Sequence, residues 1–245
     1  MLEDRYTRLG FALHRLRRLL READPSLPDD LAGDFVRRWP NAFLLAVLLN
    51  RVVRAESAWR APWLLQQRLG HLDVERIAAL SEVELAAVLG APPALHRFPR
   101  QMARNIREAA RRLVDHYEGD AAGIWMGSPP AAVVVARLQE FRGVGQKIAN
   151  MATMLLVQQF HVPLTDLSGI DVACDVHVRR VFRRTGLAPR GRTKEVIAAA
   201  RQLSPTCPAL LDLPAWVVGR TWCRPARPQC GACPLGAPTL CQSAA

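Results

Sequence analysis

Ten residues in the second half of the chain read Phe141-Arg142-Gly143-Val144-Gly145-Gln146-Lys147-Ile148-Ala149-Asn150. Two glycines flank one valine, so the backbone can turn sharply while the Val144 side chain anchors the turn in a core. The second helix then begins near Gln146, and its first backbone N–H groups face outward, where they suit a phosphate. Taken alone, the glycine pair is better explained as a plain turn between two helices.

Near the carboxyl end, four of the six cysteines lie within nineteen residues with the spacing C-x6-C-x2-C-x7-C. They are Cys223, Cys230, Cys233 and Cys241. Such a cluster in a cytoplasmic protein indicates a metal site rather than disulfides. Four thiolates suit structural zinc or an iron–sulfur cluster, and the presence of only one close pair favours the cluster.

The rest of the chain shows helical periodicity and no convincing alternating strand, which predicts an all-α protein of about ten helices. Asn41 is expected to cap a buried helix through Leu49, and Ser81 has capping-box spacing. The longest apolar run, residues 42–49, is too short to cross a bilayer. The first residues lack the pattern of a secretory signal, so we expect a cytoplasmic, nucleoid-associated protein with no membrane partner.

The chain of 245 residues carries 33 Lys+Arg and 22 Asp+Glu, a formal net charge of +11. This excess favours a polyanionic partner, most commonly nucleic acid. Only two of the basic residues are lysines, Lys147 and Lys194. Because arginine cannot serve as an amine nucleophile, a lysine directly after the glycine turn indicates a chemical role.

Three features together resemble the helix-hairpin-helix (HhH-GPD) DNA glycosylases of the endonuclease III family. They are the hairpin at residues 143–147, the stretch D-x-H-x-x-R-V at 175–181, and the four-cysteine tail. The resemblance implies a two-domain fold with the damaged base flipped into a cleft. It places a helical barrel domain at 33–155 and an iron–sulfur cluster domain at 1–32 with 156–245, formed by both termini.

The resemblance also implies site roles. Gly143, Val144, Gly145 and Gln146 would grip the lesion strand, Lys147 would attack the sugar, and Asp175 would assist it. The four cysteines would hold a 4Fe-4S cluster. The chain departs from the family in the longer interval between Lys147 and Asp175, where residues 164–169 read as an insertion. It also departs at residues 50–54, where the family has a glutamine-containing segment.

The chemistry of these residues supports the same roles independently. The Lys147 amine can form a Schiff base with C1′ of a nucleotide, whereas a phosphate-contacting cation is the alternative. Asp175 opens a helix, where backbone donors keep a carboxylate ionised for electrostatic or general-base work. A simple helix cap is the other interpretation of Asp175, and Asp171, one turn earlier, is its rival for the catalytic role.

Two further groups of residues are expected to contact DNA. Residues 176–230 contain eleven basic and two acidic side chains, and Arg179 and Arg183 are candidates for phosphate contacts. Val52 and Val53 on one side and Phe98 on the other are candidates for the wedge that holds the duplex open after a base is flipped. A solvated face is the alternative for the arginines, and a hydrophobic staple onto the Met102 helix is the alternative for Phe98.

These features predict a base-excision DNA glycosylase with associated AP lyase activity, acting as a monomer on double-stranded DNA that contains a damaged base or an abasic site. One alternative is a monofunctional glycosylase for a bulky or alkylated base, in which Asp175 activates water. A second is a non-catalytic, structure-specific DNA binder. Borohydride trapping on DNA distinguishes the predicted glycosylase with AP lyase activity from both alternatives.

Overall fold

A computed structural model describes residues 2–20 and 30–243, with side chains for residues 7–18 and 30–243. This part of the chain contains twelve α-helices, three short 3-10 helices and no strand, which confirms the predicted all-α class. The α-helices are α1 Leu2–Leu20, α2 Leu31–Arg38, α3 Pro40–Leu49, α4 Ala55–Leu69, α5 Val74–Ala79, α6 Glu82–Gly90, α7 Pro99–Tyr117, α8 Ala131–Gln139, α9 Gln146–Gln159, α10 Val176–Thr185, α11 Thr193–Leu203 and α12 Asp212–Thr221. Among the described helices, none is both long and apolar enough to cross a membrane.

The described residues form two compact units. We call the first the hairpin unit, which holds residues 30–129 and 133–164. The second, the cysteine unit, holds residues 2–20, 130–132 and 165–243. The functional domain boundaries at residues 33 and 155 stay a prediction.

The core of the hairpin unit is built around α3, whose residues 42–49 are all buried. A helix that is apolar on every side has to be enclosed by other elements. Phe43 accordingly stacks on Trp59 with ring centroids 6.0 Å apart and meets Phe160 edge-on at 4.7 Å. The aromatic side chains around α3 therefore serve the core.

The start of α3 differs from the sequence-based expectation. Trp39, not Asn41, is the N-cap, because Pro40 occupies the first helical position. The Asn41 side chain accepts a hydrogen bond from the Ala121 N–H at 2.8 Å and donates one to the Gly119 carbonyl at 2.9 Å. Asn41 thus joins α3 to the chain that follows α7.

The cysteine unit packs α1 with α10, α11 and α12 around a second core. Leu9 and Leu13 are buried on one face of α1, as the helical spacing predicts. They belong to the same cluster as Val178 and Phe182 of α10 and Val218 of α12. This core supports α10, the helix that begins directly after Asp175.

The insertion predicted at residues 164–169 lies against the start of α8. The Ala131 N–H donates to the Asp166 carbonyl at 2.9 Å, and the Asp166 side chain accepts from the Ser168 N–H at 2.9 Å. A Cβ at Gly169 would lie within 3.0 Å of the Ala132 backbone, so only glycine allows this approach. The segment therefore has a defined path instead of a free loop.

Candidate functional site

The turn between α8 and α9 is a hairpin anchored by Val144. The Val144 side chain is buried, and its N–H donates to the Phe141 carbonyl at 3.0 Å. Gly143 has φ +91°, a conformation that favours glycine. A Cβ at this position would also lie 2.6 Å from Nδ2 of Asn105. The sequence-predicted hairpin is present, and Gly143 is required by both backbone conformation and space.

Lys147 is the second residue of α9 and its side chain is exposed. The N-cap is Gly145, which supplies no side-chain cap, and the first turn of α9 contains no acidic residue. Among the described residues, no carboxylate lies within ion-pair distance of the Lys147 amine. The amine is therefore available to a ligand, and the uncapped first turn can accept a phosphate.

The segment between α3 and α4 carries the first wedge candidate and contacts the Lys147 helix. The Asn50 amide donates to Sδ of Met151, one turn beyond Lys147, at 3.6 Å. Val52 projects with 63% of its surface exposed and has φ +58°. A β-branched residue rarely adopts this left-handed conformation, and strain of this kind persists where the surrounding structure imposes it. Val52 is thus held outward at a conformational cost.

Phe98, the second wedge candidate, is the N-cap of α7, and 43% of its surface is exposed. The Met102 N–H donates to the Phe98 carbonyl at 3.1 Å, which places Phe98 at the cap itself. A hydrophobic staple uses the residue before the N-cap, and that residue is Arg97. The Arg97 guanidinium lies over the Phe98 ring, 5.1 Å from its centroid. Phe98 is therefore free of the staple role.

His96 joins the segments that carry the wedge candidates Val52 and Phe98, and it was not predicted from sequence. Its ring is 2% exposed, with Nε2 2.9 Å from the Arg51 carbonyl and Nδ1 accepting the Phe98 N–H at 3.0 Å. A carbonyl can only accept, so Nε2 carries the proton. Burial, together with the charges of Arg97 and Arg51, lowers the pKa of His96, and this keeps the ring neutral.

Asp175 and Asp171, the two rival carboxylates, have different environments within the cysteine unit. One oxygen of Asp175 accepts the N–H groups of His177 and Val178 at 2.8 and 2.9 Å, which makes it the N-cap of α10. Both oxygens of Asp171 accept from the guanidinium of Arg201. Asp171 is thus neutralised by a partner side chain, while Asp175 is bound by backbone donors alone among the bonds described.

The two arginines predicted to contact phosphate are exposed on α10. Arg179 also donates from Nε to the Gly191 carbonyl at 2.8 Å. The aliphatic stem of Arg183 packs on the same glycine: a Cβ added at Gly191 would lie 3.4 Å from Cβ and Cδ of Arg183. Neither forms an ion pair within the described ranges, so both leave positive charge at the surface.

The four clustered cysteines are half-buried thiols near the carboxyl end. Burial raises the pKa of Cys233, and the charges of Cys223, Cys241 and Cys230 add to this effect. Arg184 contacts two of these thiols, donating to Cys223 Sγ at 3.4 Å and accepting from Cys241 Sγ at its carbonyl at 3.4 Å. The thiols of the described residues are not gathered into a group that would by itself hold a metal ion. Four thiols without a carboxylate among them nevertheless match the donor set of an iron–sulfur cluster.

Asn105 is a second residue that sequence reasoning missed. Its side chain is 1% exposed beneath Gly143, and both of its polar atoms lack a hydrogen-bond partner among the described residues. Position 105 lies on the buried face of α7 beside Ile106, so a polar residue there was a detectable exception to the apolar pattern. His96 offered no such signal, because it lies in an irregular segment.

This combination of an all-α fold, a glycine hairpin and an exposed lysine defines a helix-hairpin-helix protein. The family model for HhH-GPD superfamily base excision DNA repair proteins matches residues 46–206. The chain belongs to that superfamily, and the predicted resemblance is confirmed.

Two curated relatives are similar to part of the chain. The chloroplastic endonuclease III homolog 2 of Arabidopsis thaliana is 28% identical over 155 residues, covering 60% of this chain and 35% of the relative. Endonuclease III of a Synechocystis strain is 30% identical over 158 residues, covering 60% of this chain and 58% of the relative. The chain therefore spans about a third and somewhat over half the length of these relatives.

Solved structures have the same fold over nearly the whole chain. A trapped endonuclease III–DNA covalent intermediate with an estranged adenine has a TM-score of 0.70 at 22% identity and covers 98% of this chain and 96% of its own. A thermostable thymine-DNA glycosylase has a TM-score of 0.67 at 18% identity, covering 99% and 98%. These similarities confirm the predicted fold class.

Proposed function

We propose that this protein is a base-excision DNA glycosylase with associated AP lyase activity, and that its substrate is double-stranded DNA with a damaged base or an abasic site. The observation that carries the proposal is the exposed Lys147 amine, which follows the hairpin directly and has no carboxylate partner among the described residues. Membership of a base excision repair superfamily supports the substrate class.

In the proposed reaction, the neutral Nζ of Lys147 attacks C1′ of the damaged nucleotide. The new N–C1′ bond forms as the bond from C1′ to the base breaks, and its electron pair leaves with the base, which takes up a proton. Opening of the sugar ring gives an imine between Lys147 and C1′. Loss of a proton from C2′ then breaks the C3′–O bond, and that electron pair leaves with the 3′ phosphate.

Asp175 assists the first step in this proposal. Its carboxylate accepts the proton that the attacking amine loses, and its negative charge stabilises the positive charge that develops on the sugar. The backbone N–H groups of His177 and Val178 at the start of α10 hold one of its oxygens in place. Asp171 is a poor candidate because Arg201 already neutralises it.

The four clustered cysteines are proposed to hold a 4Fe-4S cluster that orders the carboxyl-terminal loop. Cys223, Cys230, Cys233 and Cys241 supply four thiolates, the ligand set that such clusters use. The cluster would contribute folding energy to this segment, since metal binding and local folding are coupled. The base-release step requires only the side chains already named.

Borohydride trapping tests the mechanism. Borohydride reduces the imine to a stable amine, so the wild-type protein should become covalently attached to DNA containing the lesion or an abasic site. Lys147→Gln should bind DNA but not be trapped, and Lys147→Arg provides a control that keeps the positive charge without an amine nucleophile.

Other outcomes would overturn parts of the proposal. Trapping of Lys147→Gln would move the nucleophile to another amine, such as Lys194. Base release by the wild-type protein without trapping would identify a monofunctional glycosylase that uses water. Tight binding to damaged duplexes without base release or strand cleavage would identify a structure-specific binder.

A further inference from the structure

The wedge candidates Val52 and Phe98 of the hairpin unit, both exposed apolar side chains, lie on segments that are far apart in sequence. Val52 follows α3, and Phe98 immediately precedes α7. Val52 lies in a bend and Phe98 is the N-cap of α7, so no regular element contains both residues. A wedge made from both side chains needs a contact that connects the two segments.

His96 is that contact. Its Nε2 donates to the carbonyl of Arg51, the neighbour of Val52, and its Nδ1 accepts the N–H of Phe98. One bond is therefore made to the residue next to Val52, and the other is made to Phe98 itself. The two bonds use both ring nitrogens, so the neutral Nε2–H tautomer satisfies both segments at once.

The burial of His96 makes the link rigid. The ring is 2% exposed, and its centroid lies 6.0 Å from that of the Phe98 ring. A buried ring with both nitrogens bonded cannot rotate without leaving a polar atom unpaired. The Val52 backbone, held at φ +58°, is the strained conformation that such a support can maintain.

We propose that His96 is a positioning residue that holds the Val52 and Phe98 segments in one geometry, so that both side chains enter the DNA duplex together where a nucleotide is extruded. This inference rests on the proposed function. His96 touches neither the DNA nor the reacting sugar in this role. It acts through the backbone at Arg51 and Phe98.

Three substitutions at His96 test its two hydrogen bonds separately. His96→Phe fills the ring volume and removes both bonds. His96→Asn keeps an oxygen that can accept the N–H two residues on, but it is too short to reach Arg51. His96→Gln keeps a distal N–H donor for the Arg51 carbonyl. Ile77→Val, on α5 in the core of the same unit, is a control for reduced stability alone.

The experiment measures binding to a duplex that carries a tetrahydrofuran abasic analogue with 2-aminopurine opposite, and to the same abasic strand unpaired. His96→Phe should weaken duplex binding roughly tenfold, because each lost bond leaves a buried group unpaired. It should also reduce the change in 2-aminopurine fluorescence that accompanies binding. Binding to the single strand should not change. His96→Asn and His96→Gln should fall between His96→Phe and the wild type, and Ile77→Val should match the wild type.

Two measurements without DNA test the link directly. Nitrogen NMR of the free protein should show His96 as the Nε2–H tautomer at neutral pH. The Phe98 amide should exchange slowly in the wild type and in His96→Asn, and quickly in His96→Phe. An Nδ1–H tautomer, or duplex binding by His96→Phe equal to that of the wild type, would overturn the inference. A wild type that does not prefer the abasic duplex would instead contradict the proposed function, while the tautomer still decides whether the link exists.

Discussion

Asp171 and Arg201 form a two-bond ion pair in which Nε and Nη2 of the arginine donate to the two carboxylate oxygens at 2.8 and 2.9 Å. The Asp171 side chain is only 13% exposed, and the pair raises the pKa of Arg201. This relationship ties the loop before α10 to α11. It gives Asp171 a side-chain partner, which is why Asp175 is the carboxylate that we propose for the chemistry.

The two aspartates should therefore respond in opposite ways to replacement by asparagine. Asp171→Asn should lower the free energy of unfolding by about 1 kcal/mol, because it removes a partly exposed ion pair, and should leave base release nearly unchanged. Asp175→Asn should keep its stability, since asparagine caps helices as well as aspartate does. It should slow base release by ~10²–10⁴-fold. Thermal unfolding and single-turnover base release measure the two effects.

Arg201→Gln is the matched control for the ion pair, and it should cost as much stability as Asp171→Asn. An inactive Asp171→Asn beside an active Asp175→Asn would reverse the assignment of the catalytic carboxylate.

Arg183 should contribute phosphate affinity without sequence preference. Its guanidinium is exposed and unpaired within the described ranges, and only its stem packs on Gly191. Arg183→Gln should weaken binding to all duplexes alike and lower the slope of log K against log salt by about one. Arg179→Gln should do the same, with an added loss of stability because Arg179 also donates to the Gly191 carbonyl.

Arg76→Gln, on α5, removes the same charge from an exposed position in the hairpin unit and serves as the comparison. Equal salt slopes for Arg76→Gln, Arg179→Gln and Arg183→Gln would indicate that α10 presents a solvated face.

Phe98 should matter only when there is a duplex to open. Phe98→Ala should slow base release from double-stranded DNA more than from the single strand, because opening a base step costs a few kcal/mol that the wedge offsets. Stability should change little, since the ring is largely outside the core. Parallel rate measurements on paired and unpaired substrates test this, and equal losses on both would remove Phe98 from the wedge.

The cysteine loop should contain iron. Anaerobically purified protein should be yellow-brown, with about four iron and four sulfide atoms per chain. Cys230→Ser should lose this metal and loosen the carboxyl-terminal loop, as measured by iron content and proteolysis. Cys174→Ser, which alters a thiol outside the cluster, should retain the metal. Colourless protein with stoichiometric zinc would contradict the iron–sulfur prediction and indicate a zinc site.

The stability of the hairpin unit should depend on the protonation of His96. Burial and the charges of Arg97 and Arg51 lower its pKa in the folded state, so the unfolded chain binds a proton more readily. The contribution of neutral His96 to the free energy of unfolding is therefore complete above its unfolded pKa of about 6.5. It is lost as the pH falls through the lowered pKa of His96 in the folded state. The wild type should lose unfolding free energy below pH ~6.5 more steeply than His96→Asn, which does not titrate. Parallel slopes for the two proteins in denaturant titrations would contradict this.

Local sequence was sufficient for the elements whose causes are local. The hairpin at Gly143 and Gly145, the N-cap at Asp175 and the capping box at Ser81 each depend on residues within a few positions of one another. Asn41 was predicted wrongly as a cap because its partners, Gly119 and Ala121, lie about eighty residues away.

The amino-acid sequence by itself determined the all-α class, the hairpin with its lysine, and the supply of four thiols, because these follow from turn chemistry, periodicity and residue type. Only the tertiary structure decided which aspartate is paired with an arginine and how the segments of the wedge candidates are joined. The Asp171–Arg201 pair spans 30 residues and the His96–Arg51 bond spans 45. Such contacts arise when cores pack distant segments together, so the sequence around Asp171 or His96 carries no signal of the partner residue.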